Sequence, residues 1–413
     1  MAGLTQSNCI EEERKTLLEI KASHMKSYDS ENDHFLPTWV DNYDSSTPGD
    51  RGCDCCDWER VNCNTTTGHV TDLSLYNLRG VEAESKFWPL NFSLFLHFKE
   101  LRSLNLSYDY LDHKAIMKTG LRRLLSLNKL EILDLSFNTD IDNDILPSLR
   151  KFTSLKVLDL SYTGLNGNFP IKFAALENLE MLDLSYCGFN GIFEIQGSDR
   201  VSIFWKLKTL NLGSNRFNES IVTFLNTLSS ITSLDISNNP MSGPFPAQGE
   251  IPEELGLLTQ LRALNLSHNH LTGPIPVNLS NLAKIESLDL SSNGLTGKVP
   301  IELIKLTSLS IFNLSHNNLS GRLPEMKAQF GTFMEESYEG NPLLCGPPLE
   351  NKCRGNAQVV TNPWDEEDNE KWYGIDMTCF YASSCSTCFV LLLGFVAILY
   401  TNPQWRRRWL DRV

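Results

Sequence analysis

One phrase recurs along this chain and restricts what it can fold into: LRALNLSHNHLTGPIP from Leu261 to Pro276, and again IESLDLSSNGLTGKVP from Ile285 to Pro300. The template is L-x-x-L-x-L-x-x-N followed by x-L-x-G-x-I-P, and such internal repetition decides the architecture before any other signal. Nine copies begin at Leu101, Leu130, Leu155, Leu179, Leu207, Ile231, Leu261, Ile285 and Leu309. Inside each copy the apolar residues alternate, so Leu264 and Leu266 are expected in a core while Asn265 and Ser267 look outward from a short strand. One such strand cannot bury its leucines alone. Stacked copies give an α/β repeat solenoid with a parallel sheet on its concave side. The ninth place is Asn138, Asn215, Asn239, Asn269, Asn293 or Asn317 in six copies, where a side-chain amide can satisfy turn backbone groups otherwise buried unpaired. Asp109, Thr163 and Cys187 take that place in the others.

A formal charge of -14 argues against non-specific binding to nucleic acid, which needs a basic surface. Of the 11 cysteines, Cys9, Cys53, Cys55, Cys56 and Cys63 precede the repeats, and Cys345 and Cys353 follow them. Cysteines flanking a solenoid, whose ends expose core leucines, suit disulfide-stapled caps in an oxidising compartment. A zinc site of Cys53, Cys55, Cys56, Cys63 and His69 is the alternative, without the paired C-x-x-C spacing of structural sites. Eight N-x-S/T sequons, at Asn64, Asn91, Asn105, Asn218, Asn265, Asn278, Asn313 and Asn318, suit a glycosylated secretory surface. N-L-S also falls out of the repeat itself, which accounts for Asn105, Asn265 and Asn313 but not for Asn64, Asn91 or Asn218.

Residues 1–8 have neither a basic n-region nor an apolar h-region, so no signal peptide is expected there. Ile10, Leu17, Leu18 and Met25 predict one face of an amphipathic helix over Ile10 to Lys26. This helix and Trp58 would cover the open edge of the first strand, VTDLSL at Val70 to Leu75. The organisation expected is a cysteine cap over 1–68, repeats over 69–324, a second cap over 325–362 and an acidic juxtamembrane stretch over 363–379. Phe380 to Tyr400 carries no charge and is long enough to cross a hydrocarbon core of ~30 Å as a helix. Arg406, Arg407 and Arg408 then place residues 401–413 in the cytosol. Cys385 with Cys388 lies in the outer half of that helix, as do the small pairs Ala382 with Ser386 and Ser383 with Thr387.

CIEEERKTLLEIK at Cys9 to Lys21, CCDWERVNC at Cys55 to Cys63, NPLLCGPP at Asn341 to Pro348 and LLLGFVAILYTNPQWRRRW at Leu391 to Trp409 add to the repeats. Together they resemble the plant leucine-rich-repeat receptor-like proteins over nearly the whole chain. The resemblance implies a leucine-rich-repeat superhelix with disulfide caps and one C-terminal transmembrane helix. It further implies a cell-surface receptor, single-pass type I in the plasma membrane, that has no kinase and signals in plant defence through a receptor kinase co-receptor or adapter. Its cap pairing, carried over, joins Cys9 with Cys55, Cys56 with Cys63 and Cys345 with Cys353, leaving Cys53 as a departure. A second departure is the longer step from Ile231 to Leu261, where the closing phrase occurs twice, as SGPFP and GEIP. This seam, near 247–252, reads as an early block joined to the last block in a short form lacking the family's irregular island.

No Walker loop, H-E-x-x-H, G-x-S-x-G or kinase phrase occurs, so neither enzyme, cofactor nor metal is expected, and function falls to binding an extracellular peptide or protein ligand. The eighth place varies most: Tyr108, Phe137, Tyr162 and Tyr186, then Ser214, Asn238, His268, Ser292 and His316. The four aromatics would form a contiguous strip, as binding anchors or as packing for one another, with His268 and His316 further along the same row. An inhibitor-type module for pathogen enzymes, or a non-signalling short form that competes for ligand or partner, are the alternative functions. Expressed from Met1 in plant cells, a glycosylated receptor shows a downward mobility shift on glycosidase treatment; no shift would place the repeats in the cytosol.

Overall fold

The computed structural model describes residues 8–353 apart from 29–35, 42–53, 79–86, 113, 115, 117–119, 170–172, 174, 193–203, 219–220, 226, 242–248 and 326. Cys53, the phrase SGPFP, the acidic stretch, the expected membrane span over 380–400 and the tail therefore lie outside the described residues. Among the described residues no helix is long and apolar enough to cross a membrane.

The alternation of leucines produces the expected sheet. Its parallel strands are Val70–Ser74, Ser103–Asn105, Ile132–Asp134, Val157–Asp159, Met181–Asp183, Thr209–Asn211, Ser233–Asp235, Ala263–Asn265, Ser287–Asp289 and Ile311–Asn313. All nine repeat copies contribute one strand in register, so that Leu104, Leu133, Leu158, Leu182, Leu210, Leu234, Leu264, Leu288 and Phe312 form one row. Every member of that row is at most 3% exposed, and burying each side chain stabilises the stack by roughly 2 kcal/mol. The seam does not interrupt the sheet: Ser233 pairs with Ala263 and Asp235 with Asn265 across it. At the seam, Glu250 bridges Thr272 and Ile251 is buried, so GEIP fills the place of a closing phrase.

That closing phrase, x-L-x-G-x-I-P, builds a second ladder beside the main sheet. Asn166–Phe169 pairs with Gly188–Ile192, and Thr296–Gly297, Asn318–Arg322 and Leu343–Cys345 pair in sequence. Pro252, Pro276 and Pro300 close the phrase with φ fixed near -60 to -67° and open 3-10 turns at Glu253–Leu257, Val277–Asn281 and Ile301–Lys305. The helical component of the repeats is thus mainly 3-10, with single α-turns at Leu121–Leu124, Leu146–Leu149 and Ile221–Leu225. Neighbouring turns pack so closely that a Cβ on Gly256 would stand 2.3 Å from the Asn278 carbonyl oxygen.

The ninth-place asparagines tie each repeat to the one before. The buried Asn269 amide donates to the carbonyls of Ile236, Leu266 and Ser267 at 3.1, 3.0 and 3.1 Å, while its Oδ1 accepts from the Asn239 N–H. Asn138, Asn215, Asn239, Asn293 and Asn317 repeat this pattern. Thr163 donates to Leu160 within its own repeat, and Cys187 lies 3.4 Å from the same carbonyl, so both keep part of the amide's reach. One more member comes from the closing cap: Asn341 donates to Leu314 and Tyr338 and accepts from Leu319, extending the series past the last strand.

Two expectations of side-chain direction are corrected. Seventh-place serines such as Ser267 and Ser136 are buried rather than outward-facing, because the turn has begun and their hydroxyls donate to the fifth-place residue. In the N-terminal helix, Glu11–Tyr28, the buried side is Glu13, Thr16, Leu17, Ile20, Lys21 and His24, whereas Ile10, Leu18 and Met25 are only half-buried. The polar members bind backbone: Glu13 accepts from the Val70 N–H at 2.7 Å, and Lys21 donates to the carbonyls of Leu36 and Trp39. Val61–Cys63 also precedes Val70–Ser74 as an antiparallel strand that covers the sheet's first edge. Trp39 stacks on Trp58 at 5.7 Å beneath it.

The structure joins Cys9 to Cys55, Cys56 to Cys63 and Cys345 to Cys353, the pairing that the resemblance implies. With those sulfurs bonded to one another and His69 held by Glu13 at 2.8 Å, the zinc alternative has no thiolate left among its described residues, Cys53 lying outside them. Replacing Asn269 by Ala leaves three carbonyls and one N–H without that partner, and is expected to lower stability by about 3 kcal/mol in denaturant titration. Ser292→Ala, on the surface, should stay within ~0.5 kcal/mol.

Candidate functional site on the sheet face

Each repeat turns out of its strand through a left-handed residue at the eighth place. Tyr108, Phe137, Tyr162 and Tyr186 have φ of 62, 56, 54 and 52°, and Ser214, Asn238, His268, Ser292 and His316 lie between 52 and 55°. For residues with a Cβ this conformation costs about 1–2 kcal/mol. It is imposed by the stack, since the N–H of each donates to the seventh-place carbonyl of the next repeat, as Tyr162 does to Ser185 at 3.0 Å. The side chain is thereby carried away from the core.

The four aromatics of this row are brought together. Phe137 and Tyr162 stack with centroids 4.5 Å apart at 9°, Tyr162 and Tyr186 at 4.2 Å and 19°, and Tyr108 meets Phe137 at 5.4 Å. Two further rings extend the strip: Tyr76, 6.4 Å from Tyr108, and Tyr110, 6.0 Å from it. Both stand outside the eighth place, although Tyr76 directly follows the strand read from VTDLSL, which is the signal that could have found it. Mutual packing and exposure coexist here: Phe137 and Tyr162 are each 38% exposed and Tyr186 50%, so the stack presents ring edges to solvent. The strip ends where Asn238 donates to the Ser214 hydroxyl at 2.9 Å. His268 and His316 are exposed in the same row but apart from the strip and from each other, with Ser292 between them.

Alongside runs the fifth-place row. From Met181–Asp183 onward it alternates, and each asparagine amide donates to the preceding carboxylate: Asn211 to Asp183 at 2.8 Å, Asn265 to Asp235 at 3.0 Å and Asn313 to Asp289 at 3.3 Å. Asp134 and Asp159 break this alternation, since each is followed in register by another aspartate. One oxygen of each accepts from the backbone and hydroxyl of Ser136 or Ser161; the other has no donor among the described residues. Burial, reinforced by the charges of Asp183 and Asp134, pushes the Asp159 carboxyl up to about 6. On the other side of this row stand the third-place residues Ile132, Val157 and Met181.

A separate exposed ring, Trp205, lies in a shallow cleft with Glu180, Lys208 and Thr232, and Lys206 Nζ sits 4.5 Å from its centroid. Lys208, 2.6 Å from Glu180, holds that carboxylate below its usual range. The expected sugar-bearing asparagines differ in setting. Asn91, Asn218 and Asn318 are exposed; Asn64 and Asn278 donate to Glu100 and Glu253. Asn265 and Asn313 use their amides in the sheet-face ladder, and Asn105 accepts from Ser107.

Folding raises the Asp159 pKa above its unfolded value near 3.8, so this group favours the folded state most below about pH 4, and the contribution is lost as pH rises through 6. Asn at this place keeps the Ser161 hydrogen bonds, as Asn265 does for Ser267. Asp159→Asn should therefore raise stability at pH 7.5 by about 2 kcal/mol, an advantage that shrinks towards pH 4 in paired thermal melts.

Comparison with known proteins agrees with this architecture. The family described as Leucine rich repeat matches residues 259–319 and, separately, residues 126–149. Receptor-like protein 13 of Arabidopsis thaliana is 40% identical over 248 residues, covering 58% of this chain and 22% of its own. Receptor like protein 21 of the same plant is 38% identical over 220 residues, covering 52% and 21%. The chain thus spans about a fifth of the length of these curated relatives. Among solved structures, a plant ice-binding protein has the same fold, with TM-score 0.57 at 23% identity over 84% of this chain and 99% of that one. The ectodomain of the Arabidopsis thaliana membrane receptor kinase GASSHO1/SCHENGEN3, solved in complex with CASPARIAN STRIP INTEGRITY FACTOR 2, has TM-score 0.51 at 26% identity over 75% of this chain and 36% of that one. Its repeats, its caps and these matches make the chain a leucine-rich-repeat solenoid similar to plant receptor-like proteins over part of their length.

Proposed function

We propose that this protein binds an extracellular peptide or protein ligand on its sheet face and signals through a partner receptor kinase across the plasma membrane, with plant defence as its setting. The observation that carries the reading is the aromatic strip from Tyr76 to Tyr186, half open to solvent along an otherwise polar row. Rings with few rotatable bonds, already ordered by stacking, lose little entropy on binding and serve well as anchors. Support in kind comes from the receptor-kinase ectodomain of like fold that is solved with its bound factor. Binding, rather than catalysis, fits a surface whose fifth-place amides are committed to holding strands together. The span at 380–400 would anchor the repeats outside the cell, with His268 and His316 as secondary contacts. Tyr162→Ala combined with Tyr186→Ala should weaken ligand response at least tenfold while leaving surface abundance and thermal stability nearly unchanged. An unchanged response would remove the strip as the binding surface.

A further inference from the structure

We infer that the face over the strands Ile132–Asp134, Val157–Asp159 and Met181–Asp183 takes a cationic side chain, arginine or lysine, from an extended peptide segment. The inference rests on the ligand-binding reading above and names the chemistry of the ligand.

Three rows meet on this face. Ile132, Val157 and Met181 are aliphatic, Asp134, Asp159 and Asp183 are carboxylates, and Phe137, Tyr162 and Tyr186 are aromatic. A charged group flanked by apolar strips on both sides matches a side chain with an apolar stem and a cationic head. Charge complementarity selects the occupant. Elsewhere in this row an asparagine amide meets the second carboxylate oxygen of the preceding aspartate, whereas Asp134 and Asp159 have no such donor. No cation of the chain replaces it among the described residues: Lys156 is paired with Glu131 and Lys208 with Glu180 on the neighbouring second-place row. Asparagine at 159 would donate to Asp134, as Asn211 does to Asp183, and would remove the second open carboxylate, so Asp159 stands in the row at the expense of the free protein's stability. That pattern belongs to a site completed by its ligand.

The geometry also argues for a side chain over a metal ion. Adjacent strands stand ~4.8 Å apart, and each carboxylate is held back by its own serine. Among the described residues, the group of ligand atoms gathered closely enough to hold an ion is Cys9, Cys55 and Cys56, which lie in the disulfide cap. A guanidinium, with donors spread over a planar fork, can bridge Asp134 and Asp159. Its methylenes would lie against the ring edges of Phe137 and Tyr162.

The test uses the purified 413-residue chain and two bead-bound libraries of eight-residue peptides, identical except that one fixed position is arginine in the first and citrulline, its neutral isostere, in the second. Retention on the arginine library should exceed that on the citrulline library at least tenfold. Asp134→Asn combined with Asp159→Asn should bring the ratio to within twofold without unfolding the protein. Tyr162→Ala with Tyr186→Ala should lower retention on both libraries. Equal retention on the two libraries, retention on neither, or a ratio untouched by the asparagine pair overturns the inference, as does loss of the arginine preference in 1 mM calcium chloride at constant ionic strength. If the aromatic pair lowers retention on both libraries while the asparagine pair does nothing, the strip stands as the binding surface and its cationic preference falls. If the asparagine pair collapses the ratio while the aromatic pair is silent, the cation site stands without the strip.

Discussion

The ninth-place amide is the interaction on which the stack depends. A solenoid of three-residue strands has too little sheet hydrogen bonding per repeat to fix the turn that follows, and that turn is buried against the preceding repeat. The amides of Asn138, Asn215, Asn239, Asn269, Asn293 and Asn317 solve both problems, closing their own turns and reaching the carbonyl one repeat back. Their buried position makes these bonds costly to lose, because no water stands ready to replace them. Thr163 and Cys187 mark adjacent repeats where this tie is thinner, and burial pushes the Cys187 thiol above its ordinary range.

Much of this was legible because the repeat states its own periodicities. Alternating leucines fix the strands, and the spacing of Leu101, Leu130 and their successors fixes where each begins. The second ladder was not legible: x-L-x-G-x-I-P holds too few residues to show a strand period, and its pairing exists only between repeats. Ser136 and Ser267 looked like outward residues by alternation, yet the strand ends two residues earlier and the turn folds them inward. The helix Glu11–Tyr28 misled for another reason. A buried glutamate or lysine reads as solvent-facing in sequence, whereas Glu13 and Lys21 are buried in order to bind backbone that no sequence pattern announces.

The candidate site was half legible. The eighth-place aromatics stood out as a run, but their stacking depended on the left-handed backbone that aligns them. Tyr76 and Tyr110 lay outside the periodic place; the strand before Tyr76 was its one sequence signal, and spatial proximity alone joined Tyr110 to the strip. The fifth-place aspartates looked like consensus, and their irregularity emerged from hydrogen bonding: the same residue type is satisfied at Asp183, Asp235 and Asp289 and left half-open at Asp134 and Asp159. Stability and recognition therefore pull in opposite directions along a single row of strand residues.

The left-handed turn has a consequence for how such a surface can change. At the eighth place the backbone N–H is engaged by the next repeat and the side chain is carried away from the core, so tyrosine, serine, asparagine and histidine occupy the same φ within ten degrees. A substitution there alters what the face presents while the leucine row and the amide ladder stay as they were. The fold works as a frame with exchangeable tiles, each repeat offering one position that can be rewritten without disturbing the core beneath it.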